Sequence, residues 1–219
     1  MISKIVNNVE NPKAQIIFAH GAGANMHHDF MKQITALFNQ NNINVLRFNF
    51  PYMDRRAETG KRYPPDRMPM LIDCFKTVVA EAVQNKCINY PLPLFIGGKS
   101  MGGRVAAMLA GDDDIAQLIQ GVFCVGYPFH PPKKPEKLRL EPLQDTQTPI
   151  FIVQGDRDTL GAEQEIVDYE LSSLCQITFL ADGDHSLKPR VKSGFTAQQH
   201  MKSAVQRIVV FIDRQLSKE

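Results

Sequence analysis

Residues 94–107 read "LFIGGKSMGGRVAA", and Gly98-Lys99-Ser100 within them belongs either to a phosphate loop or to a nucleophile elbow. A phosphate loop needs a glycine five residues before the Gly-Lys-Ser, so that free backbone amides can wrap a phosphate. That position is Pro93, and the β-rich apolar run Leu94-Phe95-Ile96 that follows reads as strand, with no chain left for a cradle. The elbow, G-x-S-x-G, needs glycine two before and two after the serine, because the strained strand-to-helix turn has no room for a Cβ there. Gly98 and Gly102 supply both, and Met101 to Ala110 reads as a helix that Gly102, Gly103 and Ala106 let approach a sheet closely. Such a pattern arises by chance in a few per cent of chains of this length, so its surroundings decide.

The surroundings are those of an α/β protein. "AQIIFA" (14–19), "INVLRFNF" (43–50), the elbow strand, "IQGVFCVGY" (119–127), "PIFIVQGDRD" (149–158) and "QITFLADGDH" (176–185) each hold an apolar run of strand length. The runs read as strands buried on both faces. Helical spacing separates them: Phe30, Ile34, Leu37 and Phe38 in one stretch, a stripe from Met68 to Val83 in another, and Met201 to Ile212 in a closing helix over 198–216. The stripe is core packing, and Asp66 stands where it would cap that helix. The alternation predicts a mainly parallel sheet with helices on both faces, whose ligands bind at the carboxyl ends of the strands. Every chemically suggestive residue follows a predicted strand. Two segments break the alternation: "PYMDRRAETGKRYPPDRMP" (51–69), and 127–149 with six prolines. Both are too long to be plain connections and are candidates for walls of a binding site.

The 219 residues, 43% of them hydrophobic, fit one domain with a sizeable core. A formal net charge of +2 and the lack of any Lys/Arg run with interleaved aromatics argue against a nucleic-acid partner. The start lacks the apolar run of a secretory signal and no stretch is long enough to span a membrane, so a cytoplasmic location and no membrane partner are expected. Cys74, Cys87, Cys124 and Cys175 lack metal or redox spacing and read as buried free thiols.

A serine hydroxyl becomes nucleophilic only when a base takes its proton, and the base needs a carboxylate to fix its tautomer. Gly155-Asp156-Arg157-Asp158 follows one predicted strand and Gly183-Asp184-His185 the next. With "HGAGANMHHDFM", "RFNFPY", "GGKSMGGRVAA", "QGDRDTLG" and "GDHSL" in this order, the chain resembles the small, lidless bacterial α/β-hydrolases of the dienelactone-hydrolase-like group, from about Ile16 to the closing helix. The resemblance implies an α/β-hydrolase fold without a large lid, with Ser100 as nucleophile, Asp158 as acid and His185 as base. Dienelactone hydrolases carry cysteine where this chain has Ser100, which sets dienelactone itself aside as the expected substrate. Asp158 is preferred to Asp156, which has the position of a turn cap, and Asp184 reads as a loop acid because adjacent side chains diverge. Oxyanion donors are expected from the backbone N–H groups of Met101 and, in the loop after the first strand, Ala22.

The expected activity is cleavage of an ester or thioester of a small to medium acyl group through an acyl-enzyme on Ser100. The partner is then a small-molecule acyl substrate, with no metal or organic cofactor. The same three residues serve a peptide or amide hydrolase equally well, and a non-catalytic hydrolase-like scaffold is the alternative outside enzymes. Tyr52 and Arg104 are candidate substrate-binding residues, although Arg104 pairing with Asp73 remains open. Arg55, Arg56, Lys61, Arg62 and Arg67 suggest a cationic rim, but Asp54, Glu58 and Asp66 among them favour solvated surface. Lys99 is expected to point away from the site and His20 to fix loop shape. His27-His28-Asp29 reads as a helix start or pocket rim rather than a metal site. His130 and His200 have no partner legible in the sequence, and neither is the oligomeric state.

Overall fold

The apolar runs become the inner strands of a seven-stranded sheet. The computed structural model describes residues 2–84 and 92–218. Its strands are β1 (Lys4–Asn7), β2 (Ala14–Ala19), β3 (Ile43–Phe48), β4 (Leu94–Lys99), β5 (Gly121–Val125), β6 (Ile150–Gly155) and β7 (Cys175–Leu180), in the spatial order β1-β3-β2-β4-β5-β6-β7. All pairs are parallel except β1 with β3. The helices, in chain order, are α1 (Asp29–Asn39), α2 (Pro51–Thr59), α3 (Met68–Gln84), α4 (Met101–Leu109), the one-turn α5 (Asp113–Ala116), α6 (Glu141–Gln144) and α7 (Glu163–Ile166), and α8 (Ala197–Leu216).

Successive strand residues face opposite cores, which is why the central strands read as unbroken apolar runs. On β2, Ile16 and Phe18 pack under α1 and α8, whereas Ile17 and Ala19 pack under α3 and α4. Phe18 stacks on Phe123 at a centroid distance of 5.6 Å, and Gly97 leaves the space that the Phe123 ring fills. The helices start where local chemistry satisfies their free N–H groups. His28 accepts from Phe30 N at the head of α1, and Thr196 and Gln199 form a reciprocal capping box at the head of α8.

Several expectations are corrected. The first of the two interrupting segments begins as helix α2, opened by Pro51 and closed by Gly60 in the left-handed region. Asp66 does not cap α3. It lies back against α2, accepts from Tyr52 N at 3.0 Å and pairs with Arg55, so it caps the helix that precedes it. β7 is only half buried because it forms the edge of the sheet, and the antiparallel β1 at the other edge had no strong pattern. Cys74 and Cys124 are buried free thiols, Cys175 is partly buried, and Cys87 lies outside the described residues. Burial pushes the Cys74 and Cys175 thiols up to about 12, and the Cys124 thiol well above its ordinary value.

After β2 the chain adds β3 on one side, then returns to place β4 on the other. The direction of winding reverses between β2 and β4, and a crevice opens beyond their carboxyl ends. Residues 20–24 and Ser100 stand at that crevice.

Candidate active site

The elbow is a tight, strained turn. Ser100 has φ 53° and ψ −115°, a conformation costing about 1–3 kcal/mol for a residue with a side chain. It persists because its flanks cannot move: a Cβ on Gly98 would lie 2.4 Å from the Gly102 carbonyl carbon, and one on Gly102 would lie 2.6 Å from the His20 oxygen. The turn lifts the Ser100 hydroxyl into the crevice at the head of α4.

Two other strand ends meet it there. His185 Nε2 lies 2.7 Å from Ser100 Oγ, and His185 Nδ1 lies 2.8 Å from Asp158 Oδ2. Asp158 is fully buried, and its carboxylate also accepts from Gln154 Nε2 at 2.9 Å and Leu160 N at 2.8 Å. The carboxylate therefore fixes the proton on Nδ1 and leaves the Nε2 lone pair facing the serine hydroxyl. Of the two aspartates after β6, Asp158 makes this contact. Asp156 instead accepts from Asp182 N at 2.9 Å and joins the β6 and β7 turns. Asp184 accepts from Ser186 N and Lys188 N, closing the turn around His185.

The loop after β2 forms the opposite wall. His20 is fully buried, with Nδ1 2.8 Å from the Gly21 oxygen and Nε2 accepting from Phe50 N at 3.0 Å. Desolvation lowers its pKa to about 4, so the ring is neutral and locks the loop. Ala22 lines the cleft together with Ser100, Met101 follows Ser100 in the chain, and the N–H of neither donates to another group among the described residues. The resulting cleft holds about 470 Å³ and is flanked by Ala24, Phe30 and Met31 on its apolar side and by His28 at its rim. A second hollow of about 680 Å³ shares Ala22 and Gly23 with it and is walled by Arg56 and residues 62–65.

Three further residues are not where the sequence suggested. Tyr52 is fully buried beneath the loop, its hydroxyl donating to the Ala22 oxygen at 3.1 Å, so it buttresses the loop and does not enter the cleft. Arg104 does not line the cleft either, and it makes no ion pair with Asp73 among the described residues. Lys99 points into the site, donating from Nζ to the His185 carbonyl at 2.5 Å. The Pro-rich segment 127–149 contributes nothing to the wall of the Ser100 cleft.

Of the basic residues after β3, Arg55 pairs with Asp66 and Arg56 donates to the Tyr63 carbonyl, so both tie residues 61–67 to α2. His130 contacts Glu165 at 3.1 Å, and His200 contacts the Leu187 carbonyl at 2.8 Å, steadying the loop that carries His185. Among the described residues no three His, Cys, Asp or Glu side chains are grouped to hold a metal, and no helix is long and apolar enough to cross a membrane.

An elbow serine between β2 and β4, with a histidine and a buried aspartate from the next strand ends, defines the class of α/β hydrolases. The chain belongs to that family: residues 12–213 match the alpha/beta hydrolase domain. Solved structures agree on the fold. A dienelactone hydrolase from Anabaena variabilis superposes with TM-score 0.71 at 14% identity, covering 94% of this chain and 89% of that one. A serine hydrolase without lid from Xanthomonas campestris gives 0.68 at 19%, covering 94% and 87%. Est1E from Butyrivibrio proteoclasticus, solved with ferulic acid bound, gives 0.70 at 13%, covering 99% and 96%.

Proposed function

We propose that this α/β hydrolase is a serine hydrolase that cleaves an ester or thioester of a small to medium acyl group, through an acyl-enzyme on Ser100. The observation that carries the reading is the hydrogen-bonded chain from Ser100 Oγ through His185 to the buried Asp158. In this reading Ser100 Oγ attacks the acyl carbon as its proton passes to His185 Nε2, and Asp158 stabilises the imidazolium so formed. The carbonyl oxygen takes up the negative charge and is held by the N–H groups of Ala22 and Met101, donors with no competing acceptor. Collapse expels the leaving group, which takes the proton from His185. A water, deprotonated by the same ring, then attacks the acyl-enzyme, and the acid departs as the proton returns to Ser100. A cleft of about 470 Å³ with an apolar flank suits a short acyl chain.

The test is turnover of a series of p-nitrophenyl and thiol esters by wild type, Ser100→Ala, Asp158→Asn and Asp156→Asn. Ser100→Ala is expected to abolish turnover, and Asp158→Asn to reduce kcat by about a thousandfold or more, since an asparagine holds the wrong tautomer. Asp156→Asn is expected to stay within about tenfold of wild type, apart from any loss of stability. Equal losses in the two Asn variants, with both folded, would contradict the assignment of the acid.

A further inference from the structure

Lys99 is the last residue of β4 and immediately precedes the serine. Its side chain is half-buried at the edge of the cleft, with the ammonium 2.5 Å from the His185 backbone oxygen. Space for that contact is reserved by Gly126, just beyond β5: with φ +65°, it has no Cβ, and one placed there would lie 2.7 Å from Lys99 Nζ and 2.8 Å from the His185 oxygen. The charged groups that act on the ammonium are Asp158 from the β6 turn and Asp184 from the loop carrying His185. Gly21, after β2, and Gly126 also lie against the side chain and carry no charge.

Drawing an ammonium out of water is costly, and burial pulls the Lys99 pKa down from 10.5 to about 8. An apolar side chain of the same length would fill the space without that penalty. What the ammonium adds is therefore a bond and a charge. The bond fixes the backbone of the residue whose ring must meet Ser100 Oγ at 2.7 Å. The charge opposes the positive charge that the ring gains when it accepts a proton. Asp158 is buried and in contact with the ring, and the same carboxylate acts on the Lys99 ammonium, which thereby offsets part of its charge.

We propose that Lys99 is a positioning residue for His185, its ammonium both tethering the His185 carbonyl and offsetting the carboxylate of Asp158, so that the imidazole stays aimed at Ser100 and free to accept its proton. This rests on the serine-hydrolase reading above.

The experiment measures kcat and kcat/KM against pH for a neutral ester in wild type, Lys99→Met, Lys99→Gln and Lys99→Arg, with active-site titration to count competent molecules. Removing a nearby positive charge makes the ring easier to protonate, so the acid limb of kcat/KM is expected to move up by about half to one pH unit in Met and Gln and to stay in place in Arg. Losing the donor is expected to lower the plateau kcat by about tenfold or more in Met, with KM little changed, while Gln and Arg retain most of it. A purely space-filling lysine would move neither limb nor rescue pattern. Should Met fail to fold, the limb in Gln decides: an acid limb coincident with wild type overturns the proposal. Wild type that fails to turn over the ester, or to titrate, removes the serine-hydrolase reading itself, which is a different result from normal wild-type turnover with unmoved limbs.

Discussion

His20 makes the stability of this fold depend on pH in a window that can be calculated. Its ring is fully buried between the Phe50 and Tyr52 rings, and Nε2 must keep its lone pair to accept from Phe50 N. Desolvation holds its pKa at about 4, against 6.5 in a solvated chain. Between those values the unfolded chain binds a proton that the folded chain refuses, so the contribution is intact above about pH 6.5 and is lost as pH falls towards 4. At 1.36 kcal/mol per unit, a shift of about 2.5 units corresponds to about 3 kcal/mol. The perturbation is His20→Gln, which can still offer an acceptor to Phe50 N and cannot titrate. It is expected to cost about 1–3 kcal/mol at pH 7 through poorer fit and hydrogen bonding. Urea unfolding of both proteins from pH 7.5 to pH 4 is the assay. Because the carboxylates contribute to both alike, the two curves of unfolding free energy are expected to converge by about 3 kcal/mol over that range. Parallel curves would refute the buried neutral histidine, and with it the explanation of how residues 20–24 are held against the cleft.

Lys99 predicts a dependence of the same sign at alkaline pH. Its folded value of about 8 lies below 10.5, so the unfolded chain binds more protons in that window and stability rises with pH by up to about 3 kcal/mol; denaturation between pH 7.5 and 10.5 should show this rise in wild type and not in Lys99→Met. Gly98→Ala should destabilise by about 3 kcal/mol or more, because its Cβ would meet backbone atoms of Gly102 and Gly103 rather than a side chain that could turn away; a near-normal thermal midpoint would count against the packed elbow. Tyr52→Phe should cost about 1 kcal/mol of stability and reduce kcat more than it raises KM, since the lost hydroxyl supports the Ala22 carbonyl from behind and does not itself line the cleft. A rise in KM alone would return Tyr52 to the substrate.

The parts of this account legible in the sequence are those set by local constraint. Gly98 and Gly102 announce the elbow because a Cβ at either collides with backbone within a few residues or with the adjoining strand end. The inner strands announce themselves because both faces are buried, and His185 and Asp158 fall at strand ends because a parallel sheet gathers those ends on one side. The remainder depends on distant pieces of chain. Lys99 finds its partner 86 residues away, and the direction of its side chain follows from the empty place at Gly126. Tyr52 looked like a substrate contact because it follows a strand, but α2 folds beneath the loop after β2 and buries it. Asp66 precedes an amphipathic run and so resembled its cap, whereas the N–H group it satisfies lies 14 residues earlier. The half-burial of β7 did leave a trace in the polar Gln176 and Thr178, which alternate with Ile177 and Phe179.

The central claim is that Ser100 is an activated nucleophile. Its most direct test is intact-mass analysis after exposure to a fluorophosphonate, followed by peptide mapping, in wild type, Ser100→Ala and His185→Ala. The account predicts one adduct per wild-type chain, located on Ser100, absent from Ser100→Ala and formed far more slowly in His185→Ala. A folded wild-type protein that takes up no adduct, or takes it up at another residue, would contradict it.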